Sequence, residues 1–125
     1  MLVRYIVQDD AAQSVAATRL LEKRCSQQEP GHISAIVVCE LVWVLQRAYG
    51  YEKRVIVEVV QRVLDAAELH VEHGTAAREA LGDYRDGDAD YSDYLIARTN
   101  VAAGAKVTFT FDRKAASHRL FKLLD

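Results

Sequence analysis

The chain has 125 residues, which suits one compact domain, and we expect residues 1–125 to form a single domain. Its 16 basic and 18 acidic residues give a formal net charge of −2, which argues against a nucleic-acid binder that works by bulk positive charge. No apolar run approaches the roughly 18 residues of a membrane span. Two cysteines, Cys25 and Cys39, are too few for a disulfide framework, so we expect a cytoplasmic protein with reduced thiols.

Apolar residues at three- and four-residue spacing predict a series of helices. The predicted helices cover residues 10–24, 36–48, 52–67, 75–84, 92–103 and 113–120. Short strands are predicted at 32–34, 69–71 and 107–111, with an edge strand at 121–124. The β-branched and aromatic residues of 107–111 are typical of a buried parallel strand. Helices that alternate with short strands predict an α/β fold.

Two of these helices carry clear apolar stripes. The first stripe, in helix 36–48, consists of Val37, Leu41, Val44, Leu45 and Ala48, and the second, in helix 52–67, of Val55, Val59, Val63 and Ala66. Ile36, Val42 and Trp43 widen the first stripe, which predicts that this helix is buried on most sides.

Glu40 lies within the apolar stripe of helix 36–48, three residues after Val37 and four before Val44. A carboxylate on a buried face costs several kcal/mol unless a cation pairs with it. An ion pair with an arginine at the helix edge is one explanation of Glu40, and a ligand role is the other.

Asp112 directly follows the strand at 107–111. Ligands of parallel α/β sheets bind at the carboxyl ends of strands, so Asp112 occupies a position that favours function. Aspartate is also a good N-cap for the helix that begins near Arg113, and one residue can fill both roles.

Five carboxylates lie within eleven residues: Asp83, Asp86, Asp88, Asp90 and Asp93. A solvated acidic loop explains Asp83, Asp86 and Asp88, because aspartate is common in loops and at helix starts. It explains Asp93 less well, since Asp93 shares a helix face with Ile96, Ala97 and Asn100.

If Glu40, Asp93 and Asp112 meet, they repel by roughly 3 kcal/mol per pair at 5 Å and an effective dielectric constant of 20. A divalent cation between them relieves that repulsion, and hard oxygen ligands favour Mg²⁺ or Mn²⁺. Such an ion activates water and holds phosphate oxygens. His70 and His73 have a spacing seen in zinc sites but no cysteine nearby, and we expect His118 to be a surface residue of a helix.

The sequence resembles the PIN-domain ribonuclease toxins of the VapC type, from bacterial type II toxin–antitoxin systems. Four pieces carry the resemblance in the family's order and spacing: LVRYIVQDD with AAQSVAATRLLE, then ISAIVVCELVWVL, then DADYSDYLIA, then TFTFDR. The resemblance implies a PIN-like three-layer α/β/α fold with a short, mainly parallel sheet. It also implies Mg²⁺- or Mn²⁺-dependent cleavage of RNA by a homodimer that a cognate antitoxin neutralises.

The resemblance assigns roles to individual residues. Glu40, Asp93 and Asp112 match the family's acidic catalytic and metal-binding positions. Asp90 matches a neighbour that is often acidic, and Thr110 matches a threonine that orients a ligand or water. An arginine or lysine of the antitoxin is expected to contact Glu40 and Asp93.

One part of the family pattern has no match. The family begins with a central strand that ends in an aspartate, before the stretch like LVRYIV, whereas this sequence starts at Met1. Asp9 and Asp10 match the later loop and do not replace that aspartate. We expect one of two explanations: either Met1 is an internal position that has been read as the start, or the protein is naturally short and its site is damaged. The first is favoured because losing a central strand exposes unpaired backbone groups. In both cases we expect weak metal binding.

Three functions are compatible with these observations. The first is a metal-dependent endoribonuclease toxin whose activity is impaired because the first aspartate has no match. The second is a catalytically inactive PIN scaffold that binds an antitoxin or RNA. The third, a phosphatase-like α/β domain, ranks last because no nucleophilic aspartate ends a first strand. Exposed apolar surface on the helices from Ile36 to Ala67 is the expected surface for self-association.

Overall fold

The structure, a computed structural model, describes residues 1–125 and contains seven helices and four short strands. In chain order they are α1 (Leu2–Val7), α2 (Ala11–Lys23), β1 (Gly31–Ile33), α3 (Ala35–Arg47), α4 (Lys53–Asp65), β2 (Leu69–Val71), α5 (Gly74–Asp86), α6 (Tyr91–Ala102), β3 (Thr108–Thr110), α7 (Arg113–Ala116) and β4 (Phe121–Leu123). Both sheets are parallel and two-stranded, β1 with β2 and β3 with β4. The predicted α/β class is confirmed.

The chain divides into two compact units, unit one (Met1–Glu72) and unit two (His73–Asp125). Each unit holds one of the two sheets. The single domain over residues 1–125 stays a prediction. None of the helices is both long and apolar enough to span a membrane.

Unit one packs α1 against α2 and α3, and α4 against α3 and β2. Its core contains the fully buried side chains of Val38, Leu45, Ile56 and Val60. Side chains cap two of its helices: the Asp10 carboxylate accepts the backbone N–H of Gln13, and the Ser34 hydroxyl accepts that of Val37. These caps satisfy backbone donors that the first turn of a helix leaves free.

The buried face of α3 differs from the predicted stripe. Val38, Leu41, Val42 and Leu45 are buried, whereas Val37 and Ala48 are exposed. In α4 the buried residues are Ile56, Val60, Val63 and Leu64, one position on from the predicted Val55 and Val59. Both helices offer apolar residues on neighbouring faces, so periodicity alone does not orient them. The expectation that α3 is buried on most sides is wrong, because Ile36 and Trp43 are 78% and 57% exposed.

Unit two is built on the packing of α5 against α6. The rings of Tyr84 and Tyr91 meet edge to face with centroids 6.1 Å apart, and the Tyr91 hydroxyl donates to the carbonyl of Ala77 at 3.1 Å. The α6 residue Asn100 donates from Nδ2 to Oγ1 of Thr108 at 2.9 Å, which ties this helix to β3. Because β3 leads into Asp112, this bond helps to set α6 beside the end of the strand.

Two predictions about the end of the chain are wrong. Strand β3 is parallel as predicted but is not buried: Phe109 is 56% exposed, and Phe111, just after the strand, is 80% exposed. A strand with one neighbour leaves side chains uncovered that a central strand would bury. Helix α7 ends at Ala116 rather than near Leu120, whereas the predicted edge strand forms as β4. Helix α1 was not predicted from its apolar run.

Candidate functional site

Asp90 and Asp93 lie at the start of α6, as the sequence predicts. Asp90 is the N-cap residue and is exposed, and Asp93 lies in the first turn and is half-buried. Of the residues expected to share its helix face, Ala97 is buried but Ile96 is 51% exposed. Asp93 thus lies at the edge of the buried face of α6, partly open to solvent.

Asp112 caps α7, and it does so with one carboxylate oxygen. Its Oδ1 accepts the backbone N–H groups of Lys114 at 2.8 Å and Ala115 at 3.4 Å. Its Oδ2 makes no hydrogen bond, and the residue is exposed. The N-cap explanation is therefore correct, and one oxygen remains for a ligand.

Thr110 supports this arrangement through its side chain. Its Oγ1 accepts the backbone N–H of Asp112 at 3.0 Å, which fixes the turn between β3 and α7. Whether Thr110 also orients a ligand or water, as expected, stays a prediction.

The pKa of the Asp93 carboxyl lies above its usual range. Burial is the main cause; a hydrogen bond from the backbone of Asp90 opposes it, and the negative charges of Asp90 and Asp112 raise the pKa further. None of the three carboxylates has an ion-pair partner. Unit two therefore brings Asp90 and Asp112 each within electrostatic reach of Asp93 and pairs none of the three with a cation.

Glu40 lies in unit one, on α3, and is exposed. The prediction that it lies on the buried face is wrong, because Glu40 follows the buried Val38 by two residues, or about 200° around the helix. It shares its exposed side with Ile36 and Trp43, one turn before and after it. Neither a hydrogen bond nor an ion pair engages its carboxylate, so the arginine-pair explanation is also wrong.

The donor set can be compared with the needs of a divalent cation. Carboxylate oxygens and unbalanced negative charge in unit two fit Mg²⁺ or Mn²⁺. No group of three or more His, Cys, Asp or Glu side chains is positioned to hold a metal ion. Magnesium often binds through one or two carboxylates while keeping several waters, and Asp93 and Asp112 suit that mode.

Asp83 does not belong to a solvated loop, contrary to the sequence prediction. It lies on α5 with its side chain 11% exposed, and both its oxygens bind Arg98 of α6, at 2.7 and 2.8 Å. His118 contacts Asp83 Oδ1 through Nε2 at 3.0 Å and is only 18% exposed, so the expectation of a surface helix residue is wrong for it too. Burial acts to raise the pKa of Asp83, but the hydrogen bonds from Arg98 and His118 outweigh it and lower the pKa.

This Asp83–Arg98–His118 cluster joins residues 15 and 35 positions apart, so no local pattern in the sequence predicts it. The other acidic residues of the segment behave as expected. Asp86 pairs with its neighbour Arg85 and Asp88 is exposed.

The predicted histidine pair and the cavity of unit one lie apart from the carboxylates. The ring of His70 stacks on that of His32 across β1 and β2, with centroids 5.6 Å apart, and His73 is the N-cap residue of α5. A half-open cavity of about 830 Å³ is bounded by α1, α2 and α4 and includes Tyr5, Cys25 and Arg62 in its wall. None of the predicted site residues lines this cavity.

Comparison with known proteins identifies the family. The family model for the PIN domain matches residues 1–119, across both units. Searches of curated proteins and of solved structures give no match. The seven helices and short parallel sheets are consistent with the PIN-like α/β/α fold, which is generally a nuclease fold that uses divalent metals. The chain belongs to the PIN domain family.

Proposed function

We propose that this chain is a metal-dependent endoribonuclease, the toxin of a VapC-type toxin–antitoxin pair. The observation that carries the proposal is the unbalanced negative charge of Asp90, Asp93 and Asp112 at the end of β3 and the start of α6. Like charges that no protein cation offsets raise the free energy of the folded state, and a bound divalent cation would remove that cost.

Asp93 and Asp112 would hold the ion, with Asp90 as a further ligand, directly or through water. The ligand role of Glu40, which lies in unit one, rests on the family resemblance alone. When bound, Mg²⁺ or Mn²⁺ supplies an activated water and a positive charge for the phosphate oxygens. Two residues of the chain hold a carboxylate in place for the ion. Asp112 is held by its cap hydrogen bonds with Oδ2 free, and Thr110 fixes the turn that presents it.

Cleavage of a labelled single-stranded RNA with Mg²⁺ or Mn²⁺ tests the proposal. We expect slow cleavage that EDTA abolishes, and a loss of at least about 100-fold in Glu40→Gln, Asp93→Asn and Asp112→Asn, the scale of removing a charge that stabilises a transition state. Asp88→Asn is the matched control, an exposed carboxylate of the same segment outside the cluster. Cleavage that survives all three substitutions at the level of Asp88→Asn would refute the assigned site.

The second candidate is an inactive PIN scaffold that binds an antitoxin or RNA. The observation that favours it is the lack of any three-ligand group. Isothermal titration with Mn²⁺ separates the two functions. A metal enzyme binds Mn²⁺ and loses binding in Asp93→Asn but not in Asp88→Asn; a scaffold shows no binding, or binding that Asp93→Asn leaves unchanged.

The proposed partners are a small antitoxin and a second copy of the chain. The exposed side of α3 offers Ile36 and Trp43 as apolar contacts for the second copy and the unpaired charge of Glu40 for the antitoxin. Basic side chains of the antitoxin would pair with Glu40 in unit one and with Asp93 in unit two. Because Trp43 is the chain's single tryptophan, its fluorescence should change on titration with the antitoxin, and Glu40→Gln should weaken that binding by about tenfold. Purification from the native operon without any small partner would contradict the antitoxin.

A further inference from the structure

One face of the β3–β4 sheet is covered by aromatic and basic side chains that lie open to solvent. Phe109 is in register with Lys122, and both are exposed. Phe111, 80% exposed, and Leu124, 44% exposed, lie just beyond the ends of β3 and β4, two residues after Phe109 and Lys122. We call these four residues the aromatic face. Exposing two phenylalanine rings to water is unfavourable in free energy, so we expect the aromatic face to have a binding partner.

The charge of the surrounding segment indicates what that partner is. Residues 104–125 contain five of the 16 basic residues but only two of the 18 acidic ones, a net charge of +3 in a chain whose total is −2. All five basic side chains are exposed: Lys106, Arg113, Lys114, Arg119 and Lys122. The complement of such a surface is a polyanion that also has flat apolar faces.

We infer that the aromatic face is a base-stacking platform for single-stranded RNA, with Phe111 and Phe109 under two bases and Lys122, Arg113 and Lys114 on the phosphates. Exposed aromatic side chains on a sheet stack unpaired bases, and neighbouring cations follow the backbone. A duplex hides the faces of its bases, so it is not a ligand of this platform. This inference rests on the proposed function and adds the residues that would position the RNA at the same site.

The platform lies beside the proposed cleavage site along the chain. Phe111 immediately precedes Asp112, whose Oδ2 is free, and Arg113 and Lys114 immediately follow it. A base stacked on Phe111 would hold the adjoining phosphate near that carboxylate. Phe111 and Phe109 therefore act as substrate-positioning residues and set a preference for unpaired RNA.

The test is fluorescence anisotropy of the full chain with a labelled 12-nucleotide single-stranded RNA, in EDTA so that no cleavage occurs. Phe111→Leu keeps the apolar volume but removes the ring, and Phe111→Tyr keeps the ring. We expect Phe111→Leu to weaken binding about 5- to 100-fold, the range for one stacked base, and Phe111→Tyr to bind within about twofold of the native chain. Val15→Ala, an exposed apolar residue of α2, is the matched control and should bind as the native chain does.

Two more measurements complete the test. Lys122→Gln should lower the slope of log Kd against log salt concentration by about 0.7, the value for one phosphate contact of a single strand. The same sequence annealed to its complement should bind at least about tenfold more weakly than the single strand, since its bases are covered.

Several outcomes would overturn the inference. Equal binding by the native chain and Phe111→Leu is one, and a preference for the duplex is another. A third is that Phe111→Leu lowers the sedimentation coefficient while RNA binding is unchanged. That result would show that the aromatic face binds a second copy of the chain. Cleavage by the native chain and by the Asp93→Asn and Asp112→Asn variants is measured separately. If the native chain binds RNA but does not cleave it, the proposed function is refuted and the platform remains supported.

Discussion

Asp112 combines two roles that a pair of substitutions can separate. Its carboxylate caps α7 through Oδ1, and its charge contributes to the acidic group of unit two. Asparagine is nearly as good an N-cap as aspartate but carries no charge. We expect Asp112→Asn to keep stability within about 0.5 kcal/mol while losing Mn²⁺ binding, and Asp112→Ala to lose about 1 kcal/mol as well. Urea denaturation and Mn²⁺ titration of both variants give the comparison; equal stability of the two would argue against the cap.

Asp93 should make the protein less stable at neutral pH. Its pKa is raised in the folded state, so folding favours the protonated form, and stability falls as pH rises from the unfolded value of about 3.9 through the raised folded value. We expect Asp93→Asn to stabilise the metal-free protein at pH 7 by about 0.5 kcal/mol, after allowance for solvent screening. The gain should vanish below about pH 2.5, where both states are protonated. Thermal unfolding in EDTA at both pH values measures it, and a destabilised variant at pH 7 would show that Asp93 is a structural residue.

At the scale of elements, α5 and α6 are held together by Asp83 and Arg98. The carboxylate is 11% exposed and makes two hydrogen bonds to the guanidinium, and His118 adds a third. Arg98 also pairs with Glu79 at 2.9 Å, but Glu79 is 48% exposed, so removing Asp83 takes away the buried partner of the guanidinium. We expect Asp83→Asn to cost about 2 kcal/mol in urea denaturation, against less than about 0.5 kcal/mol for the control Asp86→Asn, whose surface pair with Arg85 is well exposed.

The pH dependence of the same pair has a defined sign. Because the folded pKa of Asp83 is lowered, its stabilising effect is complete above the unfolded value of about 3.9 and is lost as pH falls through the folded value. The native chain and Asp83→Asn should therefore converge in stability at acidic pH. A constant difference between them from pH 7 down to pH 2 would mean that the pair's charge contributes nothing.

Gly87 ends α5 where no side chain fits. A Cβ atom there would overlap the hydroxyl of Tyr94 and lie 2.9 Å from the carbonyl oxygen of Asp83. Tyr94 is buried, and its hydroxyl accepts the backbone N–H of Ala89 at 3.1 Å, so it cannot move freely. We expect Gly87→Ala to cost about 1–3 kcal/mol, the scale of overpacking a core, whereas Gly82→Ala, with open space around it, should not destabilise. Unfolding of both variants in urea provides the measurement.

How far the sequence predicts the structure varies from element to element. Helix α2, which the Asp10 side chain caps, lies within one residue of its predicted bounds at each end, because periodicity and capping are local signals. The buried face of α3 differs from the predicted one because apolar residues surround most of that helix. Strand β3 is more exposed than predicted because its burial depends on how many strands flank it, and strand propensity does not encode that number.

The same division applies to the candidate site. Asp90 and Asp93 lie at the start of α6 and Asp112 just after β3, as predicted, and the charges of Asp90 and Asp112 both act on Asp93. Their role as a metal site stays a prediction. The pairing of Asp83 with Arg98 depends on the contact between two helices, which the local pattern around Asp83 does not indicate. The exposure of Glu40 likewise depends on which face of α3 is buried.

At the scale of the whole molecule, the proposed homodimer rests on the exposed apolar side of α3. Ile36 and Trp43 are 78% and 57% exposed, and large side chains of this kind at the centre of an interface dominate its affinity. We expect the native chain to sediment as a dimer. The double substitution Ile36→Ser/Trp43→Ser should weaken self-association by about 100-fold or more and leave a monomer at micromolar concentration.

Val15→Ser is the matched control for that experiment, because Val15 is also 57% exposed but lies on α2. If only the loss of apolar surface mattered, all three positions would contribute in proportion to their area, whereas an interface on α3 leaves Val15→Ser dimeric. Circular dichroism establishes that the double variant remains folded, as expected for changes at exposed positions. A native chain that sediments as a monomer at all concentrations would contradict the dimer. A dimer unaffected by the double substitution would place its interface elsewhere than on Ile36 and Trp43.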